Sequence, residues 1–351
     1  MSKDNIPKVS VIVPVYNSSK YLSTCLNSLL SQTLDNIEII IINDHSLDNS
    51  LDILKSYKDL YPNLNIYNLS HNIGQGNVRN LGIKLSHGEY IGFVDNDDYI
   101  HPDMYKTMYE SAHKYNYPDI ITTGLIFVED NYYATNDLSF MNRTTHGKII
   151  NPKENPAFIL NESPSVCNKL FRKDIIKNYE FLPHCLWEDI AFSYTKLMGS
   201  SRILKLDANI DYFYRRNINN GSVSSTNYQY NPHIIDIFKV ADELEIATQA
   251  SGAYPYFKDQ IKLLQLAICL ERVTELNKWP LPQSELSTYK HNFYQEIFSR
   301  YGNLDNINLT NLQLIVPIQT IEDYSKFLNN KSKPVTRIKV RYSSSFPGNC
   351  K

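Results

Sequence analysis

The chain has 351 residues, enough for one large domain or a domain with a smaller attachment. Its formal net charge of -2 lacks the strongly basic footprint of a nucleic-acid binder, so no nucleic-acid partner is expected. The five cysteines, Cys25, Cys167, Cys185, Cys269 and Cys350, show neither CxxC nor metal-ligand spacing, which suits free thiols in a reducing compartment. The opening MSKDNIPKVS has no apolar signal-peptide core, and no run approaches the roughly 20 apolar residues of a membrane span, so a cytoplasmic location is expected.

In chain order, VSVIVPVY (Val9 to Tyr16) is short and β-branched and predicts a buried strand. Leu22, Leu26, Leu29 and Leu30 then recur at helical spacing. IEIIIIND predicts a second strand, LDILKSYKDLY a helix, LNIYNLS a third strand, GQGNVRNLGIKLS a helix and YIGFVD a fourth strand. Alternation of this kind predicts a mainly parallel wound sheet with helices on both faces, an α/β architecture. Ligands of such open sheets bind beyond the carboxyl ends of the strands. The polar clusters fall there: Tyr16-Asn17, Asn43-Asp44, His71-Asn72 and Asp95 to Asp98.

Beyond Tyr117 the pattern is less regular. PDIITTGLIFVED reads as one strand, CNKLFRKDII and LWEDIAFSYTKLMGS as helical pieces, and ILKLDANIDYFYRR as strand. After a boundary near Asn227 to Pro232, IIDIFKVADELEIATQA and YFKDQIKLLQLAICLERVTELNKW predict long helices, with Phe257, Ile261, Leu264 and Ile268 on one apolar face. The end carries Lys331, Lys333, Arg337, Lys339, Arg341 and Lys351 with no acid among them. Such a stretch suits a solvated tail or peripheral contact with anionic lipid.

Asp95, Asn96, Asp97 and Asp98 end a buried apolar run, where unpaired carboxylates are costly. Two acids one residue apart suit Mn2+ or Mg2+ carrying a nucleotide diphosphate. A turn followed by a helix cap is the alternative reading of those letters. A dinucleotide fold is disfavoured because PVYNSSK replaces the glycine-rich first turn, and no GxxxxGK[ST] loop is present.

The motifs PVYN, IINDHSLDNS, NIGQGNVRNLGIKLSHGEYIGFVDNDDYIHPDM, CNKLFRKDII and WEDIAF, in this order from Lys8 to about Ser224, resemble family 2 glycosyltransferases of the GT-A fold. The resemblance implies inverting transfer of a sugar from a nucleotide-diphosphate donor, a UDP-sugar, with Mn2+ or Mg2+, to a glycan or lipid-linked glycan acceptor. It implies that Pro14 and Tyr16 flank the base, that Asp44 binds uracil N3–H and that Arg79 contacts the nucleotide. Asp95 would bind ribose or donor hydroxyls beside Asn96, which stands where the family usually has Ser. Asp97 would ligate the metal, and Asp98 would cap the following turn. Asp189 would be the general base, with Glu188, Trp187 and Lys169 supporting it or the acceptor. The Tyr212 to Arg215 stretch resembles the family's YYYR strand, which brings Arg215 or Arg216, and Ser222, toward the diphosphate. Trp187 reads equally as core, Lys169 as a brace of the acceptor loop, and His184 as the one histidine worth testing.

Residues 1–228 are therefore expected to form the catalytic domain, with a nucleotide half to about 128 and an acceptor half beyond. Residues 229–330 would be a helical region able to mediate homo-oligomer contacts, and 331–351 the basic tail. A catalytically inactive scaffold and a nucleotidyltransferase are the competing classes. The first would be expected to have lost one of Asp44, Asp95, Asp97 and Asp189, and the second leaves the WED segment unexplained.

Overall fold

Strand β1 (Val9–Val15) is buried at every residue. It pairs in parallel with β2 (Ile37–Asn43) on one side and β4 (Tyr90–Phe93) on the other. The computed structural model describes residues 6–61, 64–129, 132–134, 147–178, 180–206, 211–216, 231–302, 307, 309–313 and 315–330. Ser222 and the basic stretch 331–351 lie outside them. With β3 (Asn65–Asn68), β6 (Ile120–Thr122), β9 (Lys148–Ile150), β10 (Lys169–Arg172) and β11 (Ile203–Lys205), the main sheet runs β3-β2-β1-β4-β10-β6-β11-β9. A second sheet, β5-β12-β7-β8, joins β5 (Tyr99–Ile100), β7 (Leu125–Glu129), β8 (Tyr132–Ala134) and β12 (Tyr212–Arg216).

The chain winds outward from β1 to β3 and then returns to lay β4 on the other side of β1. That reversal opens a crevice at the carboxyl ends of β1 and β4. Helices α1 (Leu22–Leu30), α2 (Ser50–Leu60) and α3 (Gln75–Leu85) make the crossovers, and α4 (Met104–Lys114) follows β5. A Cβ at Gly82 would lie 2.4 Å from Ile12 Cγ2, so this glycine lets α3 settle directly on β1.

Three expectations are corrected. CNKLFRKDII is not helical throughout: Lys169–Arg172 is β10, antiparallel between β4 and β6, and only α5 (Lys173–Ile176) is helix. A four-residue run buried on both faces has no period to read, so the gap between its neighbours decides its conformation. PDIITTGLIFVED breaks at Thr123-Gly124 into β6 and β7, which belong to different sheets. ILKLDANIDYFYRR likewise divides into β11 and β12.

Helix α6 (Glu188–Gly199) forms where the sequence predicts it. Its Phe192 stacks on Phe181, with ring centroids 3.9 Å apart, and both rings meet Phe93 of β4 edge-on. The aromatic cluster therefore ties the start of α6 to the strand that carries the Asp95 to Asp98 turn. Helices α7 (Asp236–Ala250), α8 (Tyr254–Leu276), α9 (Gln283–Tyr301), α10 (Leu309–Gln313) and α11 (Ile318–Asn330) complete the described residues. Phe257, Ile261, Leu264 and Ile268 are buried, and the apolar core runs unbroken from β1 into α8 and α9.

Gly76, in the first turn of α3, touches the loop before α6: a Cβ there would lie 2.4 Å from the Leu182 carbonyl oxygen and 3.2 Å from Glu188 Cγ. Gly76→Ala should force backbone apart and cost about 1–3 kcal/mol by overpacking, read as a lowered urea midpoint.

Candidate active site

The crevice begins where β1 and β4 separate. Their pairing ends at Ile12 and Phe93, and the Val94 amide gives a last bond to Ile12 O at 3.1 Å. Pro14, which has no N–H, stands just beyond, where no ladder bond is required. Its carbonyl accepts from Asn96 Nδ2 at 2.7 Å, so Asn96 pins the acidic turn to β1. The turn is closed by Asp98 N–H to Asp95 O at 3.1 Å.

Arg79 of α3 crosses beneath this turn. Its Nη2 donates to Asp95 Oδ1 at 2.7 Å, and its Nη1 donates to Glu188 Oε1 at the start of α6. Its guanidinium also lies over the Phe181 ring, 5.5 Å from the centroid. Burial opposes the Arg79 charge, but Asp95 and Glu188 raise its pKa above the ordinary value and hold it cationic. Arg79, expected at the nucleotide, is buried here, and each of its terminal nitrogens donates to a carboxylate. Gln75 Nε2 adds a second bond to Asp95 Oδ1, at 3.2 Å.

The next two acids differ from Asp95 and from each other. Asp98 is buried, and both its oxygens are engaged, accepting from Tyr212 Oη at 2.6 Å and Arg215 N–H at 2.7 Å. Burial, then Asp97 and Asp95, push its pKa well above the ordinary range. Asp98 thus fastens the turn to β12 and does not cap the following helix, whose preceding residue is Asp103. Tyr212 Oη also accepts from Asp95 N–H at 3.0 Å. Asp97 points away from these bonds. Among the described residues its carboxylate bonds only its own backbone N–H, and burial together with Asp95 pushes its pKa up to about 6. Arg215 lies 4.6 Å from the Tyr21 centroid and 5.5 Å from that of Tyr99, and donates through Nε to Asp97 O at 3.0 Å. Its charge stands beside Asp97 and favours the ionised form there.

Asp44, at the end of β2, accepts the amides of Ile73 at 2.7 Å and Gly74 at 2.9 Å. Burial raises its pKa, and the two amides oppose the rise. Each oxygen keeps a lone pair, so Asp44 shapes the turn into α3 and can still accept a further donor. Tyr16 lies exposed at the end of β1. The next residue, Asn17, is knitted to the loop after β2 through Ser46 and Leu47.

On the far side of Arg79, Glu188 is buried; burial raises its pKa and Arg79 pulls it back. Asp189 is half-buried, and among the described residues its carboxylate bonds only its own backbone N–H. Burial is the main cause of its raised pKa, opposed by Arg79. Lys169 is buried in β10 and donates to Ser163 O at 2.7 Å, Ser165 O at 2.5 Å and Asn168 Oδ1 at 3.0 Å. Burial pulls its pKa down to about 8, and the side chain braces the 163–165 loop. Trp187 is half-buried, with the Arg272 guanidinium 4.8 Å from its ring centroid. His184 is exposed, and its ring lies 3.5 Å from Asn77 Nδ2.

Among the described residues no group of three or more His, Cys, Asp or Glu side chains converges on a metal position. Of the three acids in the turn after β4, Asp97 is the one whose carboxylate, among the described residues, takes no hydrogen bond from another residue. That donor set fits Mg2+ or Mn2+, which accept one or two carboxylates and fill the remaining positions with water and substrate phosphate. Gln75, Tyr212 and Arg272 were missed as site residues. Tyr212 had a signal in the YFYR stretch; Arg272 had none, because its partner lies 85 positions earlier in the sequence.

Residues 10–179 match the family model described as "Glycosyl transferase family 2". The "Minor teichoic acid biosynthesis protein GgaB" of Bacillus subtilis (strain 168) is 27% identical over 287 residues, covering 80% of this chain and 31% of its own length. "Glycosyltransferase GlyG" of Streptococcus pneumoniae serotype 4 is 29% identical over 251 residues, 67% of this chain and 80% of its own. The chain thus spans under a third of the first relative and four-fifths of the second. The crystal structure of S. aureus TarS 1-349 in complex with UDP-GlcNAc has the same fold, with a TM-score of 0.58 at 20% identity, covering 91% of this chain and 92% of that one.

Arg79→Met should cost about 3–5 kcal/mol at pH 8, because it leaves the buried Glu188 carboxylate uncompensated and takes a partner from the half-buried Asp95. With the cation gone, burial alone acts on Glu188, which holds its proton more tightly in the folded than in the unfolded state. The loss should therefore shrink as pH is lowered toward 5, and adding Glu188→Gln should restore part of it in urea unfolding.

Proposed function

Because the chain belongs to glycosyl transferase family 2, we propose that it transfers a sugar from a UDP-linked donor to a hydroxyl of a surface-glycan acceptor, with inversion. The observation that carries this reading is the pair of partner-free carboxylates, Asp97 and Asp189, held at the two ends of one buried Asp95–Arg79–Glu188 bridge. Two acids in such different settings suit two different tasks.

In this reading the uracil lies at Asp44 and Tyr16, where a free lone pair and an exposed ring stand together. Asp95 uses its outer oxygen on donor hydroxyls, and Asp97 holds Mn2+ or Mg2+. Bound there, the ion supplies positive charge against the departing diphosphate. Arg215 adds its own charge from β12. Asp189 takes the proton from the incoming hydroxyl on the opposite face of the sugar. Its seat in the first turn of α6 favours the ionised form that a base requires. The name of GgaB, and the UDP-GlcNAc bound to TarS, support a cell-surface polymer as acceptor and a UDP-sugar as donor. No helix of the described residues is long and apolar enough to cross a membrane. A lipid-linked acceptor would be met at the inner face of the membrane, with the basic stretch 331–351 toward anionic lipid.

A panel of nucleotide sugars with Mn2+, scored for nucleoside diphosphate release with and without acceptor glycans, tests the class. Release of pyrophosphate instead, or no turnover with any donor, would overturn it. Asp189→Asn should lower kcat about 10²–10⁴-fold while leaving UDP binding in place. The acid limb of wild-type kcat should lie above the ordinary aspartate range, because burial raises the Asp189 pKa and turnover is lost as the base is protonated. Calorimetry should find Mn2+-dependent UDP affinity falling as pH drops through about 6, where Asp97 takes up a proton, and abolished by Asp97→Ala.

A further inference from the structure

Trp187, the residue before Glu188 and Asp189, has φ 59° and ψ 29°, the left-handed region that a large side chain enters only when its surroundings hold it there. No side-chain cap stabilises this start of α6. The restraint comes instead from the C-terminal helices. The Arg272 guanidinium of α8 packs 4.8 Å from the Trp187 ring centroid. Arg272 is itself buried and aligned by Glu271 at 2.9 Å and by Glu275. On the neighbouring residue, Asp236 at the start of α7 faces the Leu186 amide at 3.5 Å and is held by Lys239 at 3.1 Å and His233 at 3.2 Å. Two helices far along the sequence thus grip consecutive residues immediately before the two acids.

We infer that Arg272 is a positioning residue for the transfer reaction: by clamping the Trp187 ring it keeps that residue left-handed, and so keeps Glu188 on Arg79 and Asp189 turned to the acceptor side. The inference rests on the glycosyl-transfer reading above, and it gives the C-terminal helices a part in the site. Released from the clamp, Trp187 would relax to an ordinary conformation and rotate the first turn of α6. The donor side, anchored by Asp44 and Asn96 on other elements, would stay in place.

The test is a double-mutant cycle on the full chain, using the nucleotide sugar that supports wild-type turnover and UDP with Mn2+ as the binding probe. Arg272→Met should lower kcat about tenfold, as displacement of a reacting group does, with donor KM and UDP affinity within about twofold of wild type. Trp187→Gly adopts the left-handed backbone without a ring, so adding Arg272→Met to it should cost less than about twofold further. If the two losses multiply, or Arg272→Met turns over like wild type, the inference is overturned while the glycosyl-transfer reading stands. If wild type transfers no sugar, both fall. Should Arg272→Met lose UDP binding through misfolding, Arg272→Lys replaces it in the same cycle, keeping the charge for Glu271 and Glu275 without the planar group, with the same outcomes deciding.

Discussion

Arg79, with only 2% of its surface exposed, carries the charge around which this site is organised. Burying Arg79 is tolerable only with carboxylates at both terminal nitrogens, since an unpaired buried ion carries a penalty of several kcal/mol. The two acids come from separate parts of the chain: Asp95 from the end of β4 and Glu188 from the start of α6. The pairing can therefore form only when the strand edge and the helix meet in one geometry. Phe181, stacked between Arg79 and Phe192, supplies the apolar half of the same junction. The turn after β4 and the start of α6 are joined through one side chain.

From that junction follows a division of labour among acids that are adjacent in sequence. Asp95 bonds Arg79 and Gln75 through one oxygen, Asp98 gives both oxygens to β12, and Asp97 between them takes no bond from another described residue. Glu188 and Asp189 repeat the pattern, one paired and one open. Chemically similar carboxylates acquire different roles because each meets a different set of donors and a different depth of burial. Tyr212 coordinates the arrangement, taking the Asp95 amide and donating to Asp98, so the second sheet sets the shape of a turn that belongs to the first.

Around the 162–169 segment lies a second buried charge system. Lys205 pairs with Glu162 at 3.1 Å, and Lys169 is satisfied almost entirely by backbone carbonyls of the 163–165 loop. Both lysines stand on strands of the main sheet, so the loop is braced from beneath by the scaffold. Catalytic constellations built in this way gain precision from rigid elements even where their outer residues are loops.

Much of this was present in the letters. The alternation of β-branched runs with amphipathic segments determined the wound sheet, because period and burial are local properties of a strand or a helix. The ordered polar clusters at strand ends marked the crevice, and the motif order marked the family. Three things were decided only in three dimensions. Lys169–Arg172 became a strand because a gap between β4 and β6 had to be filled. Arg79 became a bridge because its two partners, 16 and 109 positions away, both converge on it. Asp98 became a fastening to β12 and not a cap because Tyr212, 114 positions away, reaches it first. Sequence specifies which groups carry charge and which segments seek burial; which charge meets which is settled by packing, since the energy of a buried ion depends on neighbours that only the folded chain brings within 3 Å.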